Sequence, residues 1–137
     1  MTRGLWPTCE CIRATISVLI LSHIIPLFLI RAPECFNDKL GGVSTKCDIF
    51  SFGVILWELV TQTRPWAGLN EFQMIYQVTV NNARLEIPKD NARCPPELQA
   101  LMVSCWSNSP DDRPTAVEIQ GALEELSKRE DLIGKSC

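Results

Sequence analysis

Apolar positions crowd the stretch CDIFSFGVILWEL, from Cys47 to Leu59, without settling into one stripe. At 100° per residue its large apolar side chains, with Val60, cover about 260° of a helical wheel, broken by Ser51 and Glu58. A surface helix carries a much narrower stripe, so a helix here needs neighbours on nearly every side. A buried strand is the rival for a short apolar run. The length of the stretch, a cap at Ser44 or Thr45 and Asp48 in the first turn favour a central helix from about Thr45 to Thr61.

The pattern after that run stays helical. The loop TQTRPWAGLN holds Pro65 and Gly68 and closes on Asn70, with Gln73 three residues on as a capping box. The next helix is predicted over roughly Glu71 to Val80, with Phe72, Ile75, Tyr76 and Val78 or Thr79 forming an apolar side that reads as core. ARLEIPKDNARCPP is a connecting loop. Pro96 suits the first turn of a third helix, in which Leu98, Leu101, Met102 and Cys105 keep the i, i+3, i+4, i+7 spacing. WSNSPDDRP is a turn-rich joint, and Thr115 with Glu118 caps a last helix that buries Ile119, Ala122, Leu123 and Leu126. KREDLIGKSC is expected to fray, leaving 131–137 as a flexible tail. No repeat or sustained strand alternation interrupts this, so the expected fold is mainly α with four main helices.

The first thirty residues are different in kind. ATISVLILSHIIPLFLI, Ala14 to Ile30, carries no Asp, Glu, Lys or Arg, while Arg3, Arg13 and Arg31 flank it. About 20 apolar residues span a bilayer, and this run falls just short. Three readings compete: a secretory signal, which lacks a small-x-small cleavage site; a membrane anchor of open orientation; and misjoined sequence foreign to the fold. His23, the single histidine, reads as a bystander in that run.

At 137 residues the chain supports one domain, and a formal charge of −3 with both signs scattered offers no basic stripe to a phosphate backbone. Nucleic acid is therefore not an expected partner. Seven cysteines without C-x-x-C spacing, two of them inside predicted helices, indicate buried thiols in a reducing compartment and no disulfide framework. One histidine leaves a zinc site or a hydrolytic triad short of parts.

Several short motifs fall in a telling order. APE at Ala32, Pro33 and Glu34, DIFSFGVILWEL from Asp48, RPWAG from Arg64, CW at Cys105 and Trp106, and DRPT from Asp112 together resemble the last third of a protein kinase catalytic domain. RPW, NNARLEIP and CWSNSPDDRPT resemble the Raf-like and other tyrosine-kinase-like serine/threonine enzymes. The resemblance implies a truncated kinase large lobe over 32–130, preceded by an unrelated apolar segment, 1–31. Ile30 and Arg31 stand where such enzymes carry a Trp-Met-like approach to APE.

The resemblance further implies a pairing of Glu34 with Arg113, which would tie the end of the activation segment to the joint before the last helix. It implies that Asp48 accepts backbone N–H bonds from the catalytic loop; on its own residues Asp48 reads as a carboxylate complementing a helix N-terminus. Trp66 and Trp106 would pack in the core or a groove, and the helix after Asn70 would stand where kinases dock substrates and regulators.

A complete domain of this family uses ATP and magnesium, and its parts can be checked off. G-x-G-x-x-G, a V-A-I-K-like lysine strand, His-Arg-Asp and Asp-Phe-Gly do not occur in these 137 residues. The expectation is a chain with no catalytic, cofactor or metal residues of its own, a bare face on its central helix, and a buried Asp48 deprived of its backbone partners. Its expected partners are proteins: another kinase, a regulator or a chaperone. A cytoplasmic location is expected for the kinase-like part, with a membrane reached, if at all, through Ala14 to Ile30.

Overall fold

Among the described residues, three of the four α-helices begin where a side chain accepts the first free N–H groups. The computed structural model describes residues 27–40, 42–89 and 93–134. Within them lie α1 (Thr45–Thr61), α2 (Glu71–Thr79), α3 (Pro96–Cys105) and α4 (Ala116–Gly134), with 3-10 turns at Leu27–Ile30, Pro33–Cys35, Asp38–Leu40 and Pro110–Asp112. Among the described residues there is no strand.

At the head of α1 the Ser44 hydroxyl accepts from the Lys46 N–H at 3.2 Å, and the Cys47 sulfur accepts from the Ser44 N–H at 3.4 Å. Asn70 and Gln73 exchange reciprocal bonds of 2.9 and 3.0 Å before α2. Thr115 and Glu118 do the same before α4, at 3.3 and 2.7 Å. The helix α3 has no side-chain cap and opens on Pro96, which carries no N–H of its own to satisfy.

Helix α1 is the axis of the core. It packs against α3, and its Phe50, Gly53, Val54 and Trp57 are all buried. Leu98, Leu101, Met102 and Cys105 supply the facing side of α3, all at 8% exposure or less, so the sequence spacing of that helix marks its buried face. Gly53 lets the two helices touch: a Cβ there would stand 2.6 Å from Trp106 Nε1 and 2.7 Å from Cys105 Cβ. Trp57 Nε1 donates to the Glu86 carbonyl at 2.7 Å, fastening the loop after α2 to the axis. The Leu27–Ile30 turn packs on α1 and α2, with Leu29 buried.

The structure corrects two expectations. On α2 Val78 is buried as expected and Ile75 packs half-buried against the core, but the partner of Val78 is Met74, each of the two 1% exposed, while Phe72 and Tyr76 are 83% and 55% exposed. Both pairs have i, i+4 spacing, so periodicity alone could not choose between them. On α4 Ile119 is the only buried residue among those whose burial is described; Ala122, Leu123 and Leu126 are half-covered at the edge of the core. That helix also runs to Gly134, through part of the stretch expected to fray. An ion pair between Arg129 and Glu97 links it there to α3.

Among the described residues no helix is long and apolar enough to cross a membrane. Of the apolar run from Ala14 to Ile30, residues 14–26 lie outside the described part.

Candidate functional site

The site is a buried ion pair joining two turns. Pro33 opens the first, with Ala32 extended before it and completely buried, and this turns the Glu34 side chain inward. Arg113 leaves the Pro110–Asp112 turn in extended conformation, its N–H donating to the Pro110 carbonyl at 3.2 Å. The two side chains meet in a bidentate fork: Nη1 to Oε1 at 2.5 Å and Nη2 to Oε2 at 3.0 Å. Glu34 is 1% exposed and Arg113 2%.

So deep a pair is tolerable only if its remaining polar atoms find partners. Arg113 Nε donates to the Ser107 carbonyl and Nη1 to the Lys46 carbonyl, both at 3.0 Å. Lys46 Nζ donates back to the Arg113 carbonyl at 2.5 Å. The Cys47 thiol donates to Glu34 Oε1 at 3.3 Å. The head of α1 thus encloses the pair from a third side.

Burial works to raise the Glu34 carboxyl, but the Arg113 hydrogen bond, a backbone N–H and the Cys47 thiol outweigh it and hold the group below its ordinary 4.5. The Cys47 thiol moves the other way, pushed up to about 11 by burial and by the neighbouring carboxylate.

Sequence reasoning missed Arg84. From the loop after α2 it donates to the carbonyls of Trp106 and Ala83 at 3.0 and 2.8 Å and to Asn108 Oδ1 at 2.6 Å. Its guanidinium lies 5.3 Å from the Phe50 ring centre, and that of Arg113 lies 5.1 Å from the same centre. One aromatic ring therefore serves two cations. Burial, and then the like charge of Arg113, lower the proton affinity of Arg84. A lone arginine in a loop gave no sign of this.

The predicted motif residues fall into two groups. Ala32, Pro33, Glu34 and Arg113 come together, and Trp106 packs in the adjoining core at 4% exposure. Trp66 packs half-buried against the same core, from a backbone at φ 56 that bulky residues seldom adopt. Asp48 stands apart. It is exposed, not buried, because the first turn of α1 points it outward, so the expected cost of a buried carboxylate does not arise. With Ile49 and Phe52 it lines one wall of an open groove of about 500 Å³, whose other wall is Ile119, Leu123 and their neighbours on α4.

Residues 23–123 match the family of protein tyrosine and serine/threonine kinases, and the chain belongs to that family. It carries the large-lobe, C-terminal part of such a domain, of the Raf-like, tyrosine-kinase-like kind. It is 40% identical over 97 residues to the serine/threonine-protein kinase CTR1 of Arabidopsis thaliana, covering 71% of this chain and 11% of that protein. Against the serine/threonine-protein kinase mos of Patiria pectinifera it is 38% identical over 103 residues, 75% of this chain and 28% of the relative. Against the serine/threonine/tyrosine-protein kinase HT1 of Arabidopsis thaliana the identity is 37% over 97 residues, 71% and 24%. The chain thus spans between about a tenth and just over a quarter of these relatives.

Kinases of this family generally use ATP and magnesium. Among the described residues no group of three or more His, Cys, Asp or Glu side chains stands together. The sequence contains no Gly-rich phosphate loop.

Proposed function

We propose that this chain is the substrate-side scaffold of a protein serine/threonine kinase domain and does not transfer phosphate by itself. The complete domain would phosphorylate proteins with ATP and magnesium. One observation carries the reading: the forked Glu34–Arg113 pair, which fixes the end of an activation segment to the joint before α4. That contact is structural support for phosphoryl transfer, which depends on positioning and charge neutralisation by parts outside this sequence.

Incubation with ATP, magnesium and a generic protein substrate tests it. No turnover above an Arg113→Ala control is expected; clear turnover would overturn the reading. We further propose a cytoplasmic location. Recovery of a tagged chain in the membrane fraction would count against that location and for an anchor through Ala14 to Ile30.

The groove between α1 and α4 favours a second reading, a non-catalytic module that binds another kinase or its regulator. Its walls are Ile49 and Phe52 against Ile119 and Leu123, the kind of apolar surface that proteins cover. A pull-down that recovers chaperones alone would count against this module.

A further inference from the structure

The groove between α1 and α4 is apolar inside and acidic at its edge. Ile49 and Phe52 face Ile119 and Leu123 across it, and the charged side chains on its lining among the described residues are Asp48 and Glu124. Gln120 holds Glu124 in place, its amide donating to Oε1 at 2.9 Å. The apolar run from Ala14 to Ile30 meets the same core at its far end. Its last four residues form the Leu27–Ile30 turn, which packs on α1 and α2; Leu29 is 6% exposed and Ile30 packs against the core. The match to the kinase family also begins inside the run, at His23.

We propose that residues 14–26, the rest of that run, fold back over the groove and reversibly cover its apolar walls. The reach is sufficient. Half the circumference of a helix about 10 Å across is about 16 Å, which about five extended residues span, so the chain can pass from the opposite side of α1. About eight residues then remain for the groove. Extended, they span roughly 26 Å, more than the roughly 17 Å of helix between Ala116 and Ser127 that forms the α4 wall.

The chemistry of the two surfaces matches. From Ala14 to Pro26 there is no Asp, Glu, Lys or Arg to strip of water, and Val18 to Leu21 is unbroken apolar sequence. Covering the groove with it removes apolar surface from water on both sides. The sign of the charge fits as well: Arg13 stands at the outer end of the run, opposite in sign to Asp48 and Glu124. This inference is independent of whether the chain transfers phosphate. It gives the groove an occupant from within the chain, where the second reading above gives it another protein.

The test is photo-crosslinking in the full chain, with benzoylphenylalanine in place of Phe52 in one sample and of Leu123 in another. After irradiation, trypsin cleaves at Arg13 and Arg31 and releases 14–31 as one peptide, while the two labelled positions lie in 47–84 and 94–128. The expected product from each position is a bond to a residue within 14–26, located by fragmentation, in a chain that keeps the mass of a monomer. Leu19→Asp with Leu21→Asp should reduce that bond about tenfold, because carboxylates resist burial in an apolar groove. The same double variant should take up more apolar dye than the unmodified chain, in which dye and run compete for the same walls. A bond to 14–26 found only in crosslinked dimers overturns the proposal in favour of a second copy. Bonds to another protein in cell extract, bonds to lipid when phosphatidylcholine vesicles are present, or no bond to 14–26 from either position overturn it too. The partner reading fails separately, on its own pull-down.

Discussion

Glu34 and Arg113 form a pair whose removal in halves is far worse than its absence. Replacing the guanidinium by a methyl group leaves a carboxylate in a pocket that water does not reach. Arg113→Ala is therefore expected to lower unfolding free energy by about 3 to 5 kcal/mol, read from urea denaturation. Arg113→Lys should recover only part, since one ammonium cannot fork across both carboxylate oxygens. The pair also sets an acid limit. Because the folded Glu34 sits below its ordinary 4.5, its contribution is present above that pH and is lost as pH falls through the folded value. Cys47 and Cys105 set the opposite limit. Each is raised from 9.0 to about 11, so their contribution is full below pH 9.0 and disappears as pH rises toward 11. Urea midpoints should form a plateau with a shoulder at each end, and Glu34→Gln should flatten the acid one.

At the level of elements, the close crossing of α1 and α3 rests on one missing side chain. Gly53→Ala puts a methyl within 3 Å of Trp106 and Cys105, and overpacking of that kind costs about 1 to 3 kcal/mol. A thermal melt of the variant should show the loss although alanine favours helices over glycine. Helix α2 gives a second test by contrast. Met74→Ala should cost about 2 to 5 kcal/mol, whereas Phe72→Ser should stay within about 0.5 kcal/mol in the same urea series. The helices were legible in the sequence because caps such as Ser44, Asn70 and Thr115 and the spacing in α3 are local signals. The buried side of α2 was legible only in part, at Val78, because Phe72/Tyr76 and Met74/Val78 satisfy the same period. Nor was Arg84, whose partners lie up to 24 positions away. Asp48 was misjudged because its expected partners come from outside these residues, and without them the first turn simply faces solvent.

For the whole molecule, the question raised by the broad apolar surface of α1 has a divided answer. One side is enclosed by α3, and the Leu27–Ile30 turn also packs against it. The side bearing Ile49 and Phe52 stays open against α4. A dye that fluoresces on apolar surfaces should therefore bind the folded chain below its unfolding transition, and Phe52→Ser should weaken that signal. An unchanged signal would place the exposed surface elsewhere, with Phe72 and Tyr76 next in line. The Glu34–Arg113 fork joins positions 79 residues apart, with α1, α2 and α3 lying between. A chain nicked once in the connection between α2 and α3 would accordingly migrate as a single particle under native conditions and separate into two pieces only in denaturant.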